Sequence, residues 1–140
     1  VIKASDYGLP QHRPRIFIVG FKGEKTEQSD FIFPPTVPLK FNMSDVFNAP
    51  CSREIGFTLR VGGEGTSIYD RRNWDGYKVN DKVVRLSPKE GKKMMGFPSS
   101  FKFPVSNSQA MEQLGNSVAV SAVRYTAEYI IRYLKDRFLA

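Results

Sequence analysis

Gln11, Arg13 and Arg15 stand at alternate positions just before an apolar run, and on an extended chain side chains at i and i+2 point to the same side. Two guanidiniums so placed can converge on one anionic or polar target, although the pattern also fits two surface arginines flanking a buried strand. A second group lies between residues 53 and 74. Arg53, Thr58 and Arg60 fall on the open side of an alternating segment, Gly62-Gly63-Glu64-Gly65 allows close backbone approach, and Arg71-Arg72-Asn73-Trp74 follows. In a DNA major groove Arg pairs bidentately with guanine and Asn with adenine, whereas Lys and Thr suit phosphate. The plainer reading is a solvated basic loop, anchored by Trp74 through packing. Asn116-Ser117 follow Gly115 and suit the cap of a helix. Cys51 has no helix-start context that would lower a thiol pKa, and is read as a small non-catalytic side chain. A single Cys excludes an internal disulfide and a Cys-rich zinc site, and no metal site is expected. His12 is read as an exposed substituent, and Met94 and Met95 as core.

These residues need elements to hold them. Residues 16–21, Ile-Phe-Ile-Val-Gly-Phe, read as a strand buried on both faces, and no comparable run occurs elsewhere, which places the rest of such a sheet outside this chain. Residues 1–10 read as a loop entering a turn at Gly8-Leu9-Pro10, and residues 23–30 as a polar linker. Pro34, Pro35 and Pro38 exclude a helix around them; Met43–Phe47 suits one short turn with Ser44 as its cap. Residues 55–61 alternate as a half-buried strand, and residues 77–84 read as a second, weaker one. Ser87-Pro88-Lys89-Glu90 is a capping box with proline at the first helical position, and Gly96 ends that helix. A second helix starts near Ser106 to Ser108 and is expected to stop at Gly115. A third spans residues 118–139, with Val120, Val123, Ala127, Ile130, Ile131 and Leu134 as its apolar stripe.

At 140 residues, 41% hydrophobic, the chain has material for one modest core: one domain, or part of a larger one. The net charge of +7 points to a polyanionic partner. Residues 60–93 hold nine Lys or Arg against five Asp or Glu, so the excess is concentrated in one central segment. No apolar run reaches transmembrane length and there is no secretory apolar region, giving a cytoplasmic default without a membrane partner. Val1 followed at once by a strand-like run reads as a chain begun inside a fold.

Three segments together resemble DNA cytosine-5 methyltransferases. Residues 4–15, Ala-Ser-Asp-Tyr-Gly-Leu-Pro-Gln-His-Arg-Pro-Arg, are similar to the family's eighth motif; Arg85-Leu86, Glu90 and Gly96-Phe97-Pro98 to the ninth; Gly115-Asn116-Ser117-Val118 to the tenth. The resemblance implies an α+β fragment: a target-recognition region of short strands, with C-terminal helices and one strand of a Rossmann-like, S-adenosylmethionine-dependent α/β fold. Residues 1–24 would end the catalytic domain, 25–84 form the target-recognition region, and 85–140 carry the closing motifs. It implies that Arg15 lies against the flipped cytosine, with Arg13 and Gln11 supporting the pocket, and that Asn116, Ser117 and Val118 border S-adenosylmethionine. The resemblance also places the DNA-reading role on Arg53, Thr58, Arg60, Gly62, Gly63, Arg71, Arg72 and Asn73. Pro50-Cys51 imitates the family's nucleophile pair, but the family's pair precedes the eighth motif and Cys51 follows it. With no nucleophile, no glycine turn for the cofactor and no Glu-Asn-Val segment, the segment alone is expected to be inactive. Its implied partners are double-stranded DNA and the N-terminal half of a methyltransferase of restriction-modification type. A free-standing DNA-binding module and the small subunit of a split methyltransferase are the alternatives.

Overall fold

Short antiparallel ladders and four helices carry the chain, and the computed structural model describes residues 1–22 and 30–138, so that nearly all of the expected linker lies outside the described residues. β1 (Ile2–Lys3) pairs antiparallel with β2 (Pro14–Arg15), Ile2 facing Arg15, and a 3₁₀ turn over Ala4–Asp6 stands between them where a plain loop was expected. α1 (Met43–Phe47) is capped by Asn42, whose side chain accepts from the Asp45 N–H at 3.1 Å while Asp45 accepts from the Asn42 N–H at 2.8 Å. Ser44 is therefore not the cap; its hydroxyl accepts from the Cys51 N–H at 2.9 Å.

The single strand expected over residues 77–84 is a hairpin of β3 (Gly76–Val79) and β4 (Lys82–Arg85). Asn80 and Asp81 turn it with φ of 47° and 61°. A two-residue hairpin turn of this kind needs both residues left-handed, and Asn and Asp tolerate that better than other side chains. α2 (Pro88–Met95) has the expected box: Ser87 accepts from the Lys89 N–H, Glu90 accepts from the Ser87 N–H at 3.0 Å, and Gly96 closes the helix at φ 78°.

α3 (Asn107–Asn116) is capped by Ser106 and ends one residue past Gly115, which is not in the left-handed conformation expected of a stop. Gly115 answers a different need: a Cβ there would lie 2.7 Å from the backbone oxygen of Arg60. Asn116 is the last residue of α3, and Ser117 closes it by donating from Oγ to the Leu114 carbonyl at 2.8 Å. The pair thus finishes α3 and does not cap α4 (Val120–Phe138). On α4 the expected stripe is not the packed face. Ala122 and Thr126 are buried and Tyr125, Tyr129 and Tyr133 half-buried; of the stripe, Val120 and Ile130 are half-buried, while Val123, Ala127, Ile131 and Leu134 are exposed.

One core gathers Met43, Val46, Leu59, Trp74, Tyr77, Met94, Met95, Met111 and Leu114; a smaller one joins Ile2, Ala4, Tyr7 and Leu9 to Ala119 and Ala122, with Phe41 against both. Two expected strands are absent from the described residues. Residues 16–21 form no ladder; Phe17 packs against the smaller core and Phe21 against Phe31 and Tyr133, while Ile16 and Ile18 on the other side are 76% and 90% exposed. Residues 55–61 are extended but make only one isolated bridge, Gly56 with Gln11, and Leu59 is buried while Val61 is half-exposed.

Candidate nucleic-acid interface

The alternating segment at residues 55–61 runs beside the loop of residues 10–13 and is held there by the backbone. The Gly56 N–H donates to the Pro10 carbonyl at 2.9 Å, the His12 N–H donates to Gly56 at 2.8 Å, and the Thr58 hydroxyl donates to the His12 carbonyl. Alternation then sorts the loop. Gln11 and Arg13 turn inward and are buried, whereas His12 turns out.

Gln11 accepts from the Leu59 N–H at 3.3 Å, and its amide donates to the Met95 sulfur at 3.0 Å and the Met94 carbonyl at 3.4 Å. Arg13 donates to three carbonyls, Leu59 at 2.9 Å, Gly115 at 2.7 Å and Ser117 at 2.6 Å. One guanidinium therefore ties the N-terminal loop, the central segment and the end of α3 together. Burial pulls its pKa down to about 10, with the charge of Arg15 acting in the same direction, and the group stays charged at neutral pH. Arg15 does not share its target. It is half-buried and donates to the Pro14 carbonyl at 2.8 Å.

Outside this frame lies a cavity of about 310 Å³ lined by His12, Arg53, Phe57, Arg60, Arg71 and Trp74, with Thr58 and Asn73 at its walls. It brings together five of the expected DNA-facing residues, Arg53, Thr58, Arg60, Arg71 and Asn73, and none of its described lining residues is acidic. The Arg53 guanidinium sits 4.1 Å from the centre of the Phe57 ring, a cation–π contact that orients it without removing its charge. His12 and Phe57 were not singled out for binding by their sequence positions. The signal was the Gly56–Gln11 pairing, a contact between segments 45 residues apart that periodicity does not show.

Not every expected reader faces this cavity in usable form. Asn73 is buried, donating to the Gly76 carbonyl at 2.9 Å, while its amide oxygen accepts from the Gly76 N–H at 3.0 Å and from Arg85 at 3.5 Å. A side chain so engaged holds the turn into β3, and at most one amide hydrogen is left to face the cavity. Arg72 is exposed but paired with Asp70 at 2.8 Å, and its hydrogen bonds hold that carboxylate well below the usual range, at about 2. Trp74 is buried and donates from its indole N–H to the Gly62 carbonyl at 3.0 Å.

That bond is one of three that fix the glycine loop. The Gly65 N–H donates to Asp75 at 3.1 Å, and Arg85 both pairs with Asp75 at 2.9 Å and donates to the Thr66 carbonyl at 2.7 Å. Gly62, Gly63 and Gly65 have φ between 73° and 79°, and a Cβ on Gly62 or Gly65 would meet open space, so their freedom serves the backbone path and not crowding within the chain.

Asn116, Ser117 and Val118 lie at the end of α3. Asn116 and Val118 are exposed, Ser117 is half-buried, and a concavity of about 450 Å³ there is lined by Gln109, Glu112, Gln113, Asn116 and Ser117. Cys51 is a free, half-buried thiol beside Ser52 and Lys78. Among the described residues no group of His, Cys, Asp and Glu is arranged to hold a metal ion, and no helix is long and apolar enough to cross a membrane.

Residues 1–61 and 52–132 match the family model for C-5 cytosine-specific DNA methylases. The Type II methyltransferase M.DsaV of Dactylococcopsis salina is 32% identical over 165 residues, covering 96% of this chain and 47% of its own length. M.SsoII of Shigella sonnei is 30% identical, covering 96% and 44%, and M.HhaI of Haemophilus parahaemolyticus 30% identical, covering 91% and 50%. The chain spans about half the length of the curated relatives it matches. Since the matched residues take in the 10–13 loop, the segment beside it and the helix end that Arg13 binds, the chain belongs to the C-5 cytosine-specific DNA methylase family.

Proposed function

We propose that this chain is the C-terminal, DNA-recognising part of a DNA cytosine-5 methyltransferase of restriction-modification type, which moves a methyl group from S-adenosylmethionine to C5 of a cytosine flipped out of duplex DNA. The observation that carries this reading is the gathering of His12, Arg53, Arg60 and Arg71 around one cavity with no acidic described lining residue. Phosphates of a duplex are attracted by such a face regardless of sequence, while a guanidinium reaching a guanine edge discriminates. Arg60 and Arg71 are assigned the reading role, Arg53 and Thr58 the backbone contacts, and the Gly62–Gly63 stretch close approach to the duplex; Arg72 serves through its pair with Asp70.

On this reading Arg15 reaches the flipped base, and Gln11 and Arg13 act behind it as positioning residues. Asn116, Ser117 and Val118 form one wall for S-adenosylmethionine, which when bound supplies the methyl group. The polar concavity they border, with two Gln side chains and Glu112, fits an amino-acid-like, positively charged ligand on one side. The rest of the site, the thiolate that attacks the ring and the remaining strands of a Rossmann-like sheet would come from the N-terminal half. The exposed Ile16 and Ile18 and the exposed Val123, Ile131 and Leu134 of α4 are the surface offered to that half. Residues 1–24 and the C-terminal helix would thus belong to the catalytic domain and 25–84 to target recognition.

The test is specificity in the complete enzyme. Arg60→Ala or Arg71→Ala should relax the target at one base position, at a cost of about 1–3 kcal/mol of discrimination. Arg53→Ala should weaken all duplexes alike. Methylation of a randomised target pool, read by bisulfite sequencing, decides between them; an unchanged target in both Arg60 and Arg71 variants removes the reading role from this cavity.

A further inference from the structure

A second cavity, of about 320 Å³, lies where Tyr7–Leu9, Lys40 and Phe41, the end of α2 and the start of α4 meet, and it shares no lining residue with the His12–Arg60 cavity. Lys40, Lys93 and Arg124 line it, and no acidic residue is among its described lining. Their charges are only lightly answered. Lys93 donates to the Val46 carbonyl at 3.3 Å, a neutral partner. The Lys40 ammonium and Arg124 guanidinium both stand over the Tyr125 ring, at 5.9 Å and 5.2 Å from its centre. Arg124 meets one carboxylate, Glu128, at 3.7 Å, with both side chains about half exposed, where solvent screens the pair.

Ser121, on the same wall, has a hydroxyl oxygen shut away from solvent with no hydrogen-bond partner among the described residues. Buried hydroxyls are normally paired, so a donor left without an acceptor beside three cations asks for an oxygen-bearing anion. We propose that this cavity is an anion site that takes a phosphate group. A phosphate presents several acceptor oxygens to be shared among four donors, whereas a carboxylate presents two; and Lys and Arg both suit phosphate, as point charge and as fork. The phosphate can belong to a nucleic-acid backbone or to a free phosphate-bearing ligand. This inference does not depend on the recognition role of the other cavity.

The experiment uses the full-length protein and inorganic pyrophosphate as probe, followed by isothermal titration calorimetry. One saturable site is expected, weakened about tenfold or more in Lys40→Gln/Arg124→Gln, since charge-assisted hydrogen bonds are lost. Both residues are exposed, and a melting curve checks that the variant folds. Lys40→Arg/Arg124→Lys should retain most of the affinity, and Lys82→Gln/Lys102→Gln, which removes the same charge elsewhere, should change it by less than about twofold. Ser121→Ala, which leaves the charge intact, should also weaken binding. The source is read from duplex binding against salt. If the phosphate is a DNA phosphate, the first double variant lowers the slope of log K on log salt by about 1–2; if it is a free ligand, the slope stays while pyrophosphate binding falls. Absence of pyrophosphate binding, or binding indifferent to Lys40, Arg124 and Ser121, overturns the proposal. That includes the case in which a protein carboxylate of the N-terminal half already fills the cavity.

Discussion

Arg13 is the residue on which three separate parts of the chain depend. Its side chain is buried, and its three carbonyl acceptors lie in the central segment and at the end of α3, two of the bonds buried and one partly so. Arg13→Ala should cost about 3 kcal/mol or more, because each abandoned buried acceptor carries a desolvation cost of its own. Arg13→Lys should recover only part of that, since one ammonium cannot reproduce the fork. Urea denaturation of the full-length variants measures both; a loss under about 1 kcal/mol for Arg13→Ala would show that the three bonds are dispensable. Arg15 should behave differently. With a half-exposed side chain and one local bond, Arg15→Ala should leave the melting temperature nearly unchanged while reducing methylation far more than duplex binding. Parallel losses in the methylation and binding assays would remove its assignment to the flipped base.

At the scale of elements, the close approach of α3 to the central segment is the contact most exposed to a single methyl group. Gly115 sits against the backbone of Arg60, with Val61 Cγ2 at 3.1 Å from where a Cβ would stand, and backbone cannot rotate away as a side chain can. Gly115→Ala should therefore destabilise by about 1–3 kcal/mol and shift residues 59–61, altering duplex affinity although no DNA-facing side chain is touched. Denaturation together with a binding isotherm checks this; a variant of unchanged stability and affinity would mean that α3 moves freely. The hairpin and α2 show why local signals vary in value. Ser87, Pro88, Glu90 and Gly96 carry their chemistry within one turn of the helix they bound, and that helix is where the residues place it. Asn80 and Asp81 carry an equally local turn signal, yet read as part of a run from residue 77 to 84 they are polar residues inside a strand.

For the whole molecule the deciding feature is how much apolar surface lacks a cover. Ile16, Ile18, Ile32, Val123 and Ile131 are all at least 44% exposed, a larger exposed set than scattered surface residues would explain. Taken alone, the chain should transfer no methyl group from labelled S-adenosylmethionine to duplex DNA. Incorporation that survives Cys51→Ser would reveal a catalytic group elsewhere in the chain, and incorporation lost with it would make Cys51 the nucleophile. Co-expression with the N-terminal half should protect residues 16–21 and the outer face of α4 from hydrogen exchange, and unchanged exchange there would place the companion on another surface.

By itself the sequence determined the family, through three motifs in order, and the features whose physics is confined to a few neighbouring residues: the capping box of α2, its glycine stop, the core positions of Met94 and Met95, and the central concentration of positive charge. What it could not carry was the outcome of competition between distant segments. Alternation places Arg13 and Arg15 on one side, but three carbonyls from residues 46 to 104 positions away claim Arg13 alone. Asn73 reads as a base contact, but Gly76 and Arg85 share its amide; Gly115 reads as a left-handed helix stop, but what it answers is the backbone of Arg60 against it. The apolar stripe of α4 and the run at residues 16–21 read as surfaces that want burial; which face is covered depends on what lies opposite, and within the described residues that is the Tyr7–Leu9 side for the start of α4 and the Phe21–Phe31 pair for Tyr133. Burial is a property of pairs of surfaces, and a sequence supplies one member of each pair at a time.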